Sequence, residues 1–290
     1  MRKFIYSGCS FTGWHYPTWA DIIAYDLITQ GKVDIAYNFG RSGACNYYIQ
    51  SSLFAAHTKL KITDNDYVGV GWSTTSRDSV FTTWDPFNKY HHDLPGWQTF
   101  GYVYANPFWE QVDNHEIIHT NDAMIQKTLM AYDSVKSKFN INYEIRMQFS
   151  EGDSPTNGRE FGDGGYCNPS NNFFNSYHKN ILPEYRLIPQ WDLSTPNPDY
   201  MDIFFGGHPS MELHLEHAMK LTSLHPDTIK EVMLQHNKNM DKTKEIVKNY
   251  YDAATDTYSV PGDMVGTLRQ RNPCDCWNSP GWSQIRTNLM

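Results

Sequence analysis

Two short stretches hold the residues best able to do chemistry. Gly8-Cys9-Ser10-Phe11-Thr12-Gly13 sets a hydroxyl in a tight turn between glycines, and Gly206-Gly207-His208-Pro209-Ser210 sets an imidazole in another. A serine becomes a strong nucleophile when a neighbouring base takes its proton, and histidine, which titrates near neutrality, is the usual base. Ser10 and His208 are therefore the candidate nucleophile and general base of an acyl transfer. A third pattern, His115-Glu116-Ile117-Ile118-His119, has the spacing of a zinc-protease helix, on which two histidines share a face and the glutamate activates water. At about 100° per residue, however, Ile117, Ile118, Ile125, Leu129 and Tyr132 form a face that excludes both histidines. Asp122 and Ile125 stand where a metzincin would place its next glycine and histidine. No metal and no other cofactor is expected.

The elements around Ser10 must hold its hydroxyl at the end of a sheet. Lys3-Phe4-Ile5-Tyr6 is an apolar run of the kind that makes a buried strand, and Trp19, Ile22, Ile23, Leu27 and Ile28 recur at helical spacing from about Pro17, with Thr18 or Asp21 near the start. Strand, turn and helix in that order place Ser10 at the carboxyl end of a parallel strand, facing the free amides of a helix. A second strand, Val33–Asn38, ends in Phe39-Gly40-Arg41-Ser42-Gly43 and leads into a helix over 46–59. A third, Asp66–Gly71, runs into Trp72-Ser73 and on to Arg77. Further on, a helix over 114–138, a strand over 142–149 and a short fifth strand at Met201–Phe205 precede His208 and another helix. This alternation predicts an α/β fold with a parallel sheet and right-handed crossovers.

Two stretches interrupt the pattern. Residues of about 78–111 are crowded with aromatic side chains among Pro, Gly, Asn and His, and about 150–200 are rich in Gly, Asn and Pro. Connections this long are commonly lids or binding loops; the first suits stacking on sugar rings or packing on itself. Beyond Pro226 a charged helix over 227–251 is followed by a tail without period. Its scattered Val260, Leu268, Trp277, Trp282 and Ile285 cannot build a core alone and must lie across a surface already present, on this domain or on a partner.

The blocks Gly8-Cys9-Ser10-Phe11, Asn38-Phe39-Gly40-Arg41-Ser42-Gly43, Gly71-Trp72-Ser73 and Gly206-Gly207-His208-Pro209-Ser210 resemble, in order and spacing, those of the SGNH/GDSL hydrolase family. The Gly-Cys-Ser-Phe-Thr opening is similar to a divergent branch met in phage and environmental sequences. The likeness covers about residues 3–222. It implies a three-layer α/β/α sandwich, flavodoxin-like, with a five-stranded parallel sheet in the order 2-1-3-4-5. A hydrolase-like domain would span 1–223, with insertions at about 78–111 and 150–200, and 224–290 would form a C-terminal docking segment. The implied activity is that of a serine esterase, with a carbohydrate O-acetyl group as one substrate and a virus particle as one setting. Ser10 and His208 would be catalytic, and Ser10, Gly43 and Ser73 would form the oxyanion site. Trp72 and Arg77 would contact a glycan or acylated small-molecule substrate. Ser73 replaces the family's oxyanion asparagine, and Phe205 occupies the usual acid position. Asp202, Glu212 and Asp163 are the acids the sequence offers instead. The alternative implied by these departures is a catalytically weakened fold serving as a structural or glycan-binding virion component, attached through 224–290.

Composition narrows the partners. A net charge of −8 and a pI near 5.8, with no basic stripe, argue against nucleic acid or an anionic membrane. Met1-Arg2-Lys3-Phe4 leads straight into a strand, so no signal peptide is expected, and five scattered cysteines fit a reducing cytoplasm.

Overall fold

A computed structural model of the chain describes residues 1–41, 43–73, 77–81, 97–101, 121–148, 190–192, 208–252, 257–258 and 274–287. The chain begins with β1 (Lys3–Gly8), α1 (Trp19–Thr29), β2 (Ile35–Asn38), α2 (Asn46–Leu60) and β3 (Tyr67–Trp72). Next come β4 (Arg77–Phe81), β5 (Trp97–Gly101), α3 (Asn121–Lys138), β6 (Tyr143–Gln148) and β7 (Gln190–Asp192). The C-terminal part adds α4 (Met211–Leu221), α5 (Pro226–Val247), β8 (Tyr251–Asp252), β9 (Thr257–Tyr258) and β10 (Ile285–Thr287).

The principal sheet runs β10-β2-β1-β3-β6-β7, with every neighbouring pair parallel. β1 lies inside it, Tyr6 standing opposite Asn38 on one side and Gly69 on the other. Successive residues of a strand point to opposite faces. Accordingly Tyr6 reaches α1, its hydroxyl 2.5 Å from Asp21, whereas Ser7 reaches α2, its Oγ 2.6 Å from that of Ser52. A strand covered on both faces needs an unbroken apolar run, and Phe4, Ile5 and Tyr6 are all fully buried. Helix α1 packs with α4 and α5, and α2 with α3. Trp19, Ile22, Ile23, Tyr48, Ile49 and Leu53 bring the apolar stripes of α1 and α2 into the shared core.

The expected order of the first four strands holds, with β6 as the fourth. Other expectations change. The place beside β6 belongs to β7, inside the stretch expected to be irregular, and the predicted strand at 201–205 lies outside the described residues. The aromatic stretch is not wholly irregular either, because β4 and β5 pair antiparallel from Arg77 opposite Gly101 to Phe81 opposite Trp97.

Described parts of the C-terminal segment lie on the chain's own sheet and helices. β10 extends the sheet beyond β2, with Ile285 opposite Ala36. Trp282 is fully buried and stacks on Tyr25 of α1 at 4.2 Å between centroids. Asp26 of α1 accepts from the His225 amide at 2.8 Å and the Thr228 hydroxyl at 2.7 Å, fixing the start of α5. A tail without hydrophobic period still folds here because its few large side chains meet a core that β1 and α1 have already built.

Candidate active site at the carboxyl ends of the strands

The loop after β1 is a tight turn, in which the amides of Thr12 and Gly13 donate to the Cys9 carbonyl at 2.9 and 3.0 Å. Ser10 sits in this turn, only 4 % exposed. The loop after β2 closes against it. A Cβ on Gly13 would stand 2.4 Å from the Gly40 carbonyl oxygen, so the two backbones approach this closely only because both residues are glycine. The Arg41 amide donates to the Gly8 carbonyl at 3.0 Å. Gly43 follows with φ +74°, a left-handed conformation suited to glycine.

A buried carboxylate ties these two loops together. Asp21, fully buried in the first turn of α1, accepts on Oδ1 from the Tyr6 hydroxyl at 2.5 Å and Asn38 Nδ2 at 2.8 Å. Its Oδ2 accepts from the Thr18 amide at 2.9 Å and lies 2.7 Å from the Thr18 hydroxyl. The same Thr18 hydroxyl and Asn38 Nδ2 also reach the Thr12 carbonyl, at 2.8 and 2.9 Å. Asn38 Oδ1 accepts from the Gly40 amide at 2.7 Å. Burial raises the Asp21 carboxyl from 3.8 to about 6, against the opposing pull of the bonds from Tyr6, Thr18 and Asn38. When protonated, Asp21 can donate to Thr18 Oγ, which then donates to the Thr12 carbonyl, leaving every group satisfied.

The loop before α4 brings His208 to the same place. Its ring stacks on the Trp14 indole, with centroids 3.7 Å apart and planes 19° from parallel, and lies 5.2 Å from the ring of Phe11, next to Ser10. The Tyr16 hydroxyl donates to the Pro209 carbonyl at 2.8 Å, and Ser210 rather than His208 caps α4, accepting from the Leu213 amide. His214, fully buried one turn further on, accepts from the Trp19 amide at 3.2 Å and so links α4 to the start of α1. Burial first, and then the nearby His217 and His208, hold its pKa well below the usual range, which keeps it neutral.

At the end of β3, Ser73 is clamped by Asn46. The Ser73 amide donates to Asn46 Oδ1 at 2.7 Å, Asn46 Nδ2 donates back to the Ser73 carbonyl at 3.0 Å, and Nδ2 also lies 3.1 Å from the Thr128 hydroxyl. Both backbone groups of Ser73 are therefore bonded within the protein. Trp72 is not a substrate contact: it is fully buried against Tyr132 of α3, and its Nε1 donates to Glu144 at 2.6 Å. Strand alternation turns the indole towards the helix. Glu212 lies exposed in the first turn of α4, close enough to His236 of α5 to affect its titration. Arg77 opens β4. Asp163, Asp202 and the His115-Glu116-His119 motif fall outside the described residues, among which no group of three or more His, Cys, Asp or Glu could hold a metal ion. No described helix is long and apolar enough to cross a membrane.

Sequence reasoning missed three contributors. Asp21 was visible as a residue near a helix start, but its bonds to Tyr6 and Asn38 depend on strand pairing. Asn46 gave no local sign of its reach to Ser73. Arg41 lies in a recognised block; its guanidinium is buried and stands 5.4 Å from the Tyr48 ring centre, a fixed positive charge near the strand ends. No family model, curated protein or solved structure matches the chain.

Proposed function

We propose that the chain is a serine carboxylic-ester hydrolase on a three-layer α/β/α frame, acting on a small acyl ester such as an O-acetylated carbohydrate. The observation that carries this reading is the convergence of the Ser10 turn and the His208 loop at the carboxyl ends of the strands. In the reaction, Ser10 Oγ attacks the ester carbonyl while His208 takes its proton. His208 then returns the proton to the leaving alcohol, and water activated by the same imidazole releases the acid and regenerates Ser10. The amides of Ser10 and Gly43 and the hydroxyl of Ser73, standing in for an asparagine side chain, are the oxyanion donors of this scheme.

The burial of Ser10, only 4 % exposed, also favours a second reading, in which the fold has kept its architecture and serves as a glycan-binding or structural virion component. A fluorophosphonate probe separates the two. Labelling of Ser10, together with hydrolysis of acetylated glycans or short aryl esters that Ser10→Ala abolishes, is the expected result. An unlabelled chain, or equal rates for the two proteins, would discard the hydrolase reading in favour of the second.

A further inference from the structure

We infer that Trp14 is a positioning residue for the His208 imidazole: it fixes the plane of the ring and stabilises its protonated form during acyl transfer. This rests on the hydrolase reading above. A general base must present one nitrogen along a defined line, and the torsion about the bond to the ring is otherwise soft. Face-to-face stacking at 3.7 Å and 19° removes that freedom. It occupies a face of the imidazole and leaves the ring edge, where both nitrogens lie, open to in-plane hydrogen bonds. An indole face is also the best aromatic surface for a cation, so contact with Trp14 becomes more favourable as His208 gains the Ser10 proton.

Both partners of the stack are anchored from the backbone. His208 precedes Pro209, whose carbonyl is bonded by Tyr16, and Ser210, which caps α4. Trp14 follows Gly13, whose amide closes the turn on Cys9. It precedes His15, whose carbonyl accepts from the Cys274 amide at 3.1 Å and from Trp277 Nε1 at 3.2 Å. The C-terminal segment thus braces the residue beside the indole. Phe11, at 5.2 Å from the imidazole and tilted by 41°, adds a second wall.

The test uses the full chain with Trp14→Leu, which removes the ring, and Trp14→Phe, which keeps a smaller one. Imidazole carbon-bound protons of His208, assigned with a His208→Gln control, report the stack by NMR, since an indole face shifts them upfield. Kinetics on a short aryl ester report its consequence. The expected result is a downfield move of the His208 signals in Trp14→Leu. With it, kcat falls on the order of tenfold while KM stays within about twofold, and Trp14→Phe recovers most of the rate. Unmoved His208 signals in both variants, or an unchanged or raised kcat in Trp14→Leu, would overturn the role assigned to Trp14. If Trp14→Leu does not fold, the Phe variant decides alone: partial retention of both signal shift and kcat supports the role, and wild-type kcat with lost upfield shift refutes it. A wild-type chain with no Ser10 labelling and no turnover instead refutes the hydrolase reading, a result distinct from an active enzyme indifferent to Trp14.

Discussion

Replacing Asp21 by Asn should change the pH dependence of stability in a direction opposite to the usual one for a carboxylate. The folded-state pKa of Asp21 is raised from 3.8 to about 6 by burial. Its neutral form is therefore favoured by folding. The resulting stabilisation is complete below the unfolded value and is lost as pH rises through the folded value. Between pH 7 and pH 4 this group should add roughly 2 kcal/mol to wild-type stability, at 1.36 kcal/mol per pKa unit. An asparagine cannot titrate. It also turns an amide NH2 towards the Thr18 amide if its oxygen stays with Tyr6 and Asn38, so one buried donor loses its acceptor at a cost of about 1–3 kcal/mol. At pH 7 that loss is offset by removal of a buried charge, and the two proteins should be closely matched. At pH 4 the wild type should be the more stable by roughly 2 kcal/mol more than at pH 7. Urea unfolding followed by tryptophan fluorescence at pH 7, 6, 5 and 4 measures the difference, in which the other carboxylates cancel. A difference that is flat with pH would refute the raised pKa. One that grows in the opposite direction would mean that Asp21 is held ionised by its four donors.

Asn46→Ala should cost about 2 kcal/mol in the same unfolding assay, because the buried Ser73 amide loses its acceptor; hydrolysis should fall with it, and unchanged stability would show that Asn46 does not hold the end of β3. Trp282→Ala should cost about 3–5 kcal/mol, the usual loss for a fully buried tryptophan. A difference under 1 kcal/mol would mean that the segment carrying β10 is not integral to the fold.

The sequence was most legible where periodicity and turn chemistry agreed. Phe4-Ile5-Tyr6 before a glycine-bounded turn, and Trp19 to Ile28 after it, defined β1 and α1 within a few residues, and the same reasoning found β2, α2, β3 and β6. It was least legible where an element is made by its neighbours. Gln190-Trp191-Asp192 and Ile285-Arg286-Thr287 are strands of three residues each, too short to show a period, and become strands because an existing edge offers hydrogen bonds. The candidate site divides in the same way. Ser10 and His208 were recognisable because turns after strands and before helices have local signatures, and the structure brings both loops together around Phe11 and Trp14. Trp72 was misassigned because position along a strand is readable before its facing is known. The bonds of Asp21 and Asn46 join residues distant in sequence, which neither periodicity nor composition encodes.

The pairing of β10 with β2 sets an order of events for the growing chain. β2 is complete early in synthesis, but its outer edge waits for Ile285–Thr287, which leave the ribosome after all the other described strands. Throughout that interval an unpaired strand edge stands open on a sheet that can otherwise assemble, and open edges recruit the strands of other chains. Closure between such distant segments is intrinsically slow. Yield of native protein should therefore depend on how quickly translation finishes relative to encounters between nascent chains, a vulnerability located at the outer edge of β2.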